Sequence, residues 1–287
     1  MAHQDPDVFV RLERFYDAVP RDAAVAEDIG GFVLFVRKGE GWPYYARPRL
    51  GADTPSAADV TAVRRRQREL GAPEAFEWVH ETTPDLLAVA RSAGLEVLLA
   101  PLMVLERPAL VPDLPLSGAV IRFIDPASPD FAADVVAAQA VAQLGFAAPA
   151  TAPAAATALT VEAAGPRERD AFLPMSAAAI EALRGRYASG RFAGAVVESP
   201  GDGIVASGMI QQVGDVAEVA GVATLPFARR RGYASQLTAS LARHALQRGA
   251  DLVFLSAGDD DVARLYSKVG FRRIGTACIA EPAAALL

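Results

Sequence analysis

Between Glu218 and Arg248 the sequence passes from an apolar strand into a short loop holding Arg229, Arg230 and Arg231. It then enters Gly232-Tyr233-Ala234-Ser235 and a long helix. No other stretch restricts the fold so narrowly. A helix start presents backbone N–H groups without intrahelical partners, together with the positive end of the helix dipole. Three cations placed there oppose that dipole by about 0.3–1 kcal/mol each. A bound anion removes the conflict, and a glycine followed by small residues lets the backbone close on a pyrophosphate. The alternative reading of the same residues is a basic, solvated helix start.

Composition narrows the remaining choices. The chain has 287 residues, 52% of them hydrophobic and 22% charged, enough for one large domain or two ordinary ones. Sixty residues are alanine, which favours helix but buries little area, so packing must come from Leu, Val, Ile and Phe. A net charge of −6 suits nucleic acid poorly. A single cysteine, Cys278, excludes an internal disulfide and an all-cysteine metal site within one chain; it reads as a packed small residue on an apolar strand. His3, His80 and His244 are scattered without metal-ligand spacing, and Asp259-Asp260-Asp261 reads as a helix cap rather than a metal site. Gly201–Gly208 precedes a strand and opens no helix, so it is no dinucleotide loop. The N-terminus lacks a secretory pattern, and polar residues and prolines break the most apolar stretch, 131–164. The expectation is a soluble cytoplasmic protein with no metal, nucleic-acid or membrane partner.

Periodicity and turn residues predict helices over 8–17, 23–28, 54–71, 83–94, 130–144, 166–187, 232–248 and 260–269. Strands are expected over 32–37, 43–46, 75–80, 95–106 with an interruption at Pro101, 118–125, 192–198, 204–213, 216–223, 251–256 and 272–280. The proline-spaced segment 108–115 marks a domain boundary, giving units 1–115 and 116–287. Placing Gly94 over Gly270 aligns Trp78-Val79 with Phe254-Leu255 and Leu86-Leu87 with Val262-Ala263. The shared strand–helix–glycine–strand pattern fits an internal duplication; it also fits the general habit of helices to end in glycine.

The segment Arg229-Arg230-Arg231-Gly232-Tyr233-Ala234 resembles the Arg/Gln-x-x-Gly-x-Gly/Ala motif of the GNAT (GCN5-related) acyl-CoA-dependent N-acyltransferases. Downstream, Ala263 to Phe271 resembles that family's tyrosine-bearing helix ending in Gly-Phe. The whole is similar to a tandem-GNAT arrangement of actinobacterial type. The resemblance implies an α/β (α+β) fold of two units with mixed, mostly antiparallel central sheets flanked by helices. It implies acetyl-CoA as acyl donor, with Val222, Ala223 and Thr224 offering backbone groups to the pantetheine arm and Arg229 to Ser235 holding the pyrophosphate. Tyr266 matches the tyrosine facing the departing thiol, and Glu218 the glutamate that serves some members as base. Asp259 stands where asparagine is common, which puts its cofactor contact in question. The first half lacks the motif and carries Ala90 in the place of Tyr266, so it reads as a degenerate partner.

An amine of pKa about 10.4 must lose a proton before attacking a thioester, at roughly 4.6 kcal/mol at pH 7, hence the interest in Glu218; a water chain is its rival. The expected activity is transfer of an acetyl group to a primary amine in a ternary complex. The alternative is a non-catalytic acyl-CoA-binding or sensing protein. The residues do not name the acceptor, and a homodimer is compatible with them.

Overall fold

The computed structural model describes residues 6–39, 41, 43–112, 116, 118–148 and 164–283. In chain order the elements are α1 (Pro6–Ala18), β1 (Ala24–Ile29), β2 (Phe32–Arg37), β3 (Arg47–Pro48), α2 (Ala57–Glu69), β4 (Phe76–Val79), α3 (Leu86–Ser92) and β5 (Leu95–Glu106). They continue with β6 (Val120–Phe123), α4 (Phe131–Ala147), α5 (Pro166–Asp170), α6 (Ala177–Ala188), β7 (Phe192–Ser199), β8 (Gly203–Val213) and β9 (Val216–Thr224). The last four are α7 (Tyr233–Gln247), β10 (Leu252–Ser256), α8 (Asp260–Ser267) and β11 (Arg272–Pro282). Among the described residues no helix is long and apolar enough to cross a membrane.

These elements form two compact units. The first holds residues up to Met103, Ser256–Asp260 and the chain from Arg273 onward; the second holds Val104–Leu255 and Asp261–Arg272. The expected boundary at 115/116 thus falls inside the second unit, and the end of the chain returns to the first. The reason is strand pairing. Residues Ala277–Ala280 of β11 pair antiparallel with β4, which places Cys278 and Ala280 in a core with Phe32, Phe76, Trp78 and Leu86. Of the aromatic residues Trp42, Tyr44, Tyr45, Phe76 and Trp78, Phe76 and Trp78 are core, and Trp42 lies outside the described residues.

In the first unit β1, β2 and β3 form an antiparallel sheet, and Ala46 bridges Phe76 in parallel. Of residues 23–28, expected as helix, 24–28 are strand instead. Their alanine and glutamate content favours helix, but Gly30 at φ 57° turns the chain so that Ile29 faces Phe32 and the two segments zip together to Ala24 and Arg37. Pro101 does not interrupt β5, and of residues 43–46 only Ala46 makes a bridge. Helix α2 begins at Ser56 with a reciprocal capping box to Asp59. Its run of arginines is neutralised by neighbours: Arg66 pairs with Glu27, and Arg64 and Arg68 both reach Glu74.

In the second unit the strands run in the order β10–β9–β8–β7–β6, with β10 parallel to β9 and the rest antiparallel. Helix α4 packs on β8 and β9; α7 packs on the same strands, with Leu237 and Leu241 against Gly208. Leu237, Leu241, Ala245 and Leu246 are buried, a helical stripe in which each leucine contributes about 1.5–3 kcal/mol. Each unit contains a helix, a strand and a second helix followed by a glycine at positive φ, Gly94 in one and Gly270 in the other.

Candidate functional site

The site begins with an irregularity in β9. Ser207 pairs with Ala223 and Met209 with Ala220, so Gly208 of β8 faces two residues of β9, Gly221 and Val222. Gly221 takes φ 63°, which a side-chain-bearing residue adopts only at a cost, and the extra residue bends the strand. On the other edge of β9, the parallel ladder to β10 runs from Val216–Leu252 to Glu218–Phe254 and goes no further. Beyond Glu218, β9 carries no pairing to β10, while Ala223 and Thr224 stay paired to β8 past the bulge at Val222. The strands part at Glu218.

Beyond Thr224 the chain turns through Leu225, Pro226, Phe227 and Ala228, all but Phe227 buried, and reaches the arginines. Their three side chains do different things. Arg229 is half-buried and donates to the Gly145 carbonyl of α4 at 2.7 Å, so it fastens the loop to that helix. The same spot requires glycine at 145, because a Cβ there would come within 2.8 Å of the Ala223 Cβ. Arg230 and Arg231 are exposed, and Arg231 lies over the Phe227 ring. Arg230 has φ 65°, alone among the described non-glycine residues in the left-handed region. Gly232, at φ 81°, is the N-cap of α7; no side chain caps the helix, and nothing lies within 4 Å of where its Cβ would stand. Helix geometry leaves the N–H groups of Tyr233, Ala234 and Ser235 without intrahelical acceptors. Tyr233 is buried, while Ala234 and Ser235 are half-buried.

Tyr266 lies on α8, in the same unit, and is 7% exposed. Burial pushes its hydroxyl up to about 12, against a partial opposing effect from the Thr238 hydroxyl on α7. Its ring is tilted against Phe271, and its carbonyl accepts from the N–H groups of Val269 and Phe271. Among the described residues of the second unit, two buried side-chain oxygens lack a hydrogen-bond partner, Thr224 Oγ1 and Thr238 Oγ1. Buried polar atoms left in this condition mark places where a ligand or water completes the bonding.

The uncapped, glycine-opened helix start and the unpaired β9 edge, with the unsatisfied Thr224 hydroxyl on it, fit a long, anionic, amide-bearing ligand. Asp259 is half-buried just before α8. Among the described residues no group of three or more His, Cys, Asp or Glu is placed to hold a metal ion.

Residues 196–280 match the family model described as FR47-like protein, a span that takes in β8, β9, α7, β10 and α8. No curated protein matches the chain. Among solved structures, a GCN5-related N-acetyltransferase from Kribbella flavida is similar over 97% of both chains, with a TM-score of 0.68 and 22% identity. The chain has the GNAT fold. A tandem GNAT protein from the clavulanic acid biosynthesis pathway is similar over 98% of this chain and 97% of its own, with a TM-score of 0.53 and 13% identity. A GCN5-related N-acetyltransferase-like protein from Streptococcus suis 89/1591 gives 0.51 and 12%, over 96% and 98%.

Helix α2 of the first unit has a different start. There the Ser56 N–H and hydroxyl both donate to the Asp59 carboxylate, at 2.8 and 2.9 Å, and the Ser56 hydroxyl accepts from the Asp59 N–H at 3.2 Å. These bonds, with a further one from the Gly31 backbone, hold Asp59 below the usual carboxylate range. The helix start carries its own anion. In the second GNAT unit, sequence reasoning missed three contributors. Gly221 had a signal, a lone glycine inside an apolar strand. Gly145 had a weaker one, a glycine ending an alanine-rich helix, and Thr238 had none, since a threonine inside a helix looks like any other.

Proposed function

We propose that the chain is an N-acetyltransferase that moves an acetyl group from acetyl-CoA to a primary amine by direct attack while both are bound. The observation that carries this reading is the combination, within one unit, of the parted β9 edge, the uncapped Arg230–Ser235 helix start and the buried Tyr266. Val222, Ala223 and Thr224 would offer backbone groups to the pantetheine arm. The N–H groups at the start of α7, with Arg230 and Arg231, would take the pyrophosphate, while Arg229 fixes the loop through Gly145. When bound, acetyl-CoA supplies an acyl carbon activated as a thioester. Glu218, where β9 and β10 part, is the group assigned to accept the proton that the amine nitrogen loses as its bond to that carbon forms. Tyr266 is assigned to the sulfur as the C–S bond breaks. With its hydroxyl at about 12 and a free thiol near 8.5, full proton transfer is uphill by about 5 kcal/mol, so Tyr266 serves as a neutral hydrogen-bond donor.

The test is calorimetric titration with acetyl-CoA followed by an amine panel read by free-thiol release. Sustained release with any amine supports the reading; binding without release for any amine assigns the chain to acyl-CoA sensing instead. The acceptor is an amine, and the net charge of −6 argues against nucleic acid as a partner.

A further inference from the structure

Strands β7, β8 and β9 align a row of residues on one face of the second unit's sheet. Phe192 pairs with Gln211 and Gln211 with Glu218, so the three side chains stand on the same side, neighbours about 4.5–5.5 Å apart at Cβ. This is the face that α4 covers: the Ser207 hydroxyl, four residues before Gln211 on β8, donates to the Ala138 carbonyl of that helix at 2.9 Å. The cover stops short of the row. Ser207 is 3% exposed, whereas Met209 and Gln211 of β8, with Glu218 and Ala220 of β9, are half-buried. Helix α6 adds a cation. The Arg186 guanidinium lies 4.8 Å from the centre of the Phe192 ring, and its Nη2 donates to Gln211 Oε1 at 3.4 Å. That bond is long, so the ring places Arg186 more than any partner holds it. Arg122 in this unit pairs with Asp134 and Glu198, and Arg184 with Glu181; among the described residues no carboxylate pairs with Arg186. The row thus presents a guanidinium, a carboxamide and a carboxylate in order across the strands.

We infer that this row receives the acceptor, and that the acceptor is an amine carrying a carboxylate within a few bonds of its nitrogen, as an α-amino acid does. The carboxylate goes to Arg186, whose planar fork matches it, and the amine goes to Glu218. Gln211 accepts from Arg186 through Oε1, which leaves its Nε2 hydrogens to donate to the same carboxylate. The inference rests on the acyltransferase reading and deepens it, naming the acceptor class and two residues outside both recognisable motifs. In the step itself the amine nitrogen bonds the acyl carbon as the C–S bond breaks. Its proton passes to Glu218, and coenzyme A departs as the thiolate with Tyr266 donating to it. The acceptor's carboxylate takes no part beyond holding the nitrogen in place. An amine without an anion leaves Arg186 uncompensated beside it.

The experiment measures amine-dependent release of free thiol from acetyl-CoA with matched pairs, each an α-amino acid and its primary amide. The proteins are the full-length wild type, Arg186→Met, Arg186→Lys and Gln211→Glu. The quantity read is kcat/KM for the acid divided by kcat/KM for its amide. The difference in amine basicity within a pair is the same for every protein, so it cancels between them. The wild type is expected to acetylate one or more of the acids. Arg186→Met keeps an apolar stem against Phe192 and should lower the ratio by on the order of tenfold, the scale of a lost hydrogen bond to a charged group. Arg186→Lys should recover part of that loss. Gln211→Glu sets a rival carboxylate beside Arg186 and should lower the ratio as well. Acetyl-CoA affinity by calorimetry should be unchanged in all three variants, since none alters the start of α7. Turnover confined to amines without a carboxylate, or the wild-type ratio in Arg186→Met, overturns the inference while leaving the acyltransferase reading in place. No thiol release with any amine overturns both.

Discussion

Tyr266 is kept a neutral phenol across the physiological range because its hydroxyl is buried and its pKa is pushed up to about 12. A group with a raised pKa holds its proton until the pH climbs through the raised value. A turnover profile against pH should therefore climb as amine and base lose protons, and it should show no alkaline decline below pH 10 from this residue. Tyr266→Phe should lower turnover by about tenfold or more while changing acetyl-CoA affinity less than about twofold, since only the hydrogen bond to the departing sulfur is removed; equal losses in both would place the residue in binding. Gly145 makes a different prediction. Its Cβ would press on Ala223 and, at 3.3 Å, on the Thr224 carbonyl, so Gly145→Ala should destabilise the protein by about 1–3 kcal/mol in chemical unfolding. Such contacts are beyond the reach of a single sequence, because the partners lie some 80 residues apart and nothing local betrays them.

At the scale of elements, the start of α7 holds two residues at positive φ, Arg230 and Gly232. Keeping an arginine there costs about 1 kcal/mol relative to a glycine, less the extra freedom glycine has when unfolded. Arg230→Gly should leave the unfolding midpoint unchanged or raised while weakening acetyl-CoA binding, a separation that mere structural importance does not produce. Loss of stability with unchanged binding would contradict it. The strand–arginine–glycine–helix order was legible in the sequence because each part has a local cause: apolar alternation, charge and a glycine at the cap. The helix expected over 23–28 failed for an equally physical reason. Its local propensity was right for helix, yet the adjoining Gly30-Gly31 turn and the apolar β2 strand offered a hairpin ladder that outweighed it. The bulge of β9 against β8 was legible only through Gly221, because a bulge is defined by a partner strand.

For the whole molecule, the two units differ in how one helix of each begins. Asp59 gives α2 its own anion, whereas α7 has none from its own first turn. The GNAT fold was foreseeable from two short motifs in the second half; the return of β11 to the first unit was not, because strand partners across some 200 residues leave no periodic trace. A chain cut after residue 115 should consequently fail to give two folded halves, as judged by circular dichroism and solubility, since Cys278 and Ala280 belong to the core built on Phe76 and Trp78. The proposed function requires one acyl-CoA site per chain, at the start of α7. The most direct measurement is calorimetric titration of the full chain with acetyl-CoA, beside Asp59→Asn and Arg231→Ala. The expected result is one site per chain, unaffected by Asp59→Asn and weakened by Arg231→Ala; two sites, or no binding at all, would contradict it.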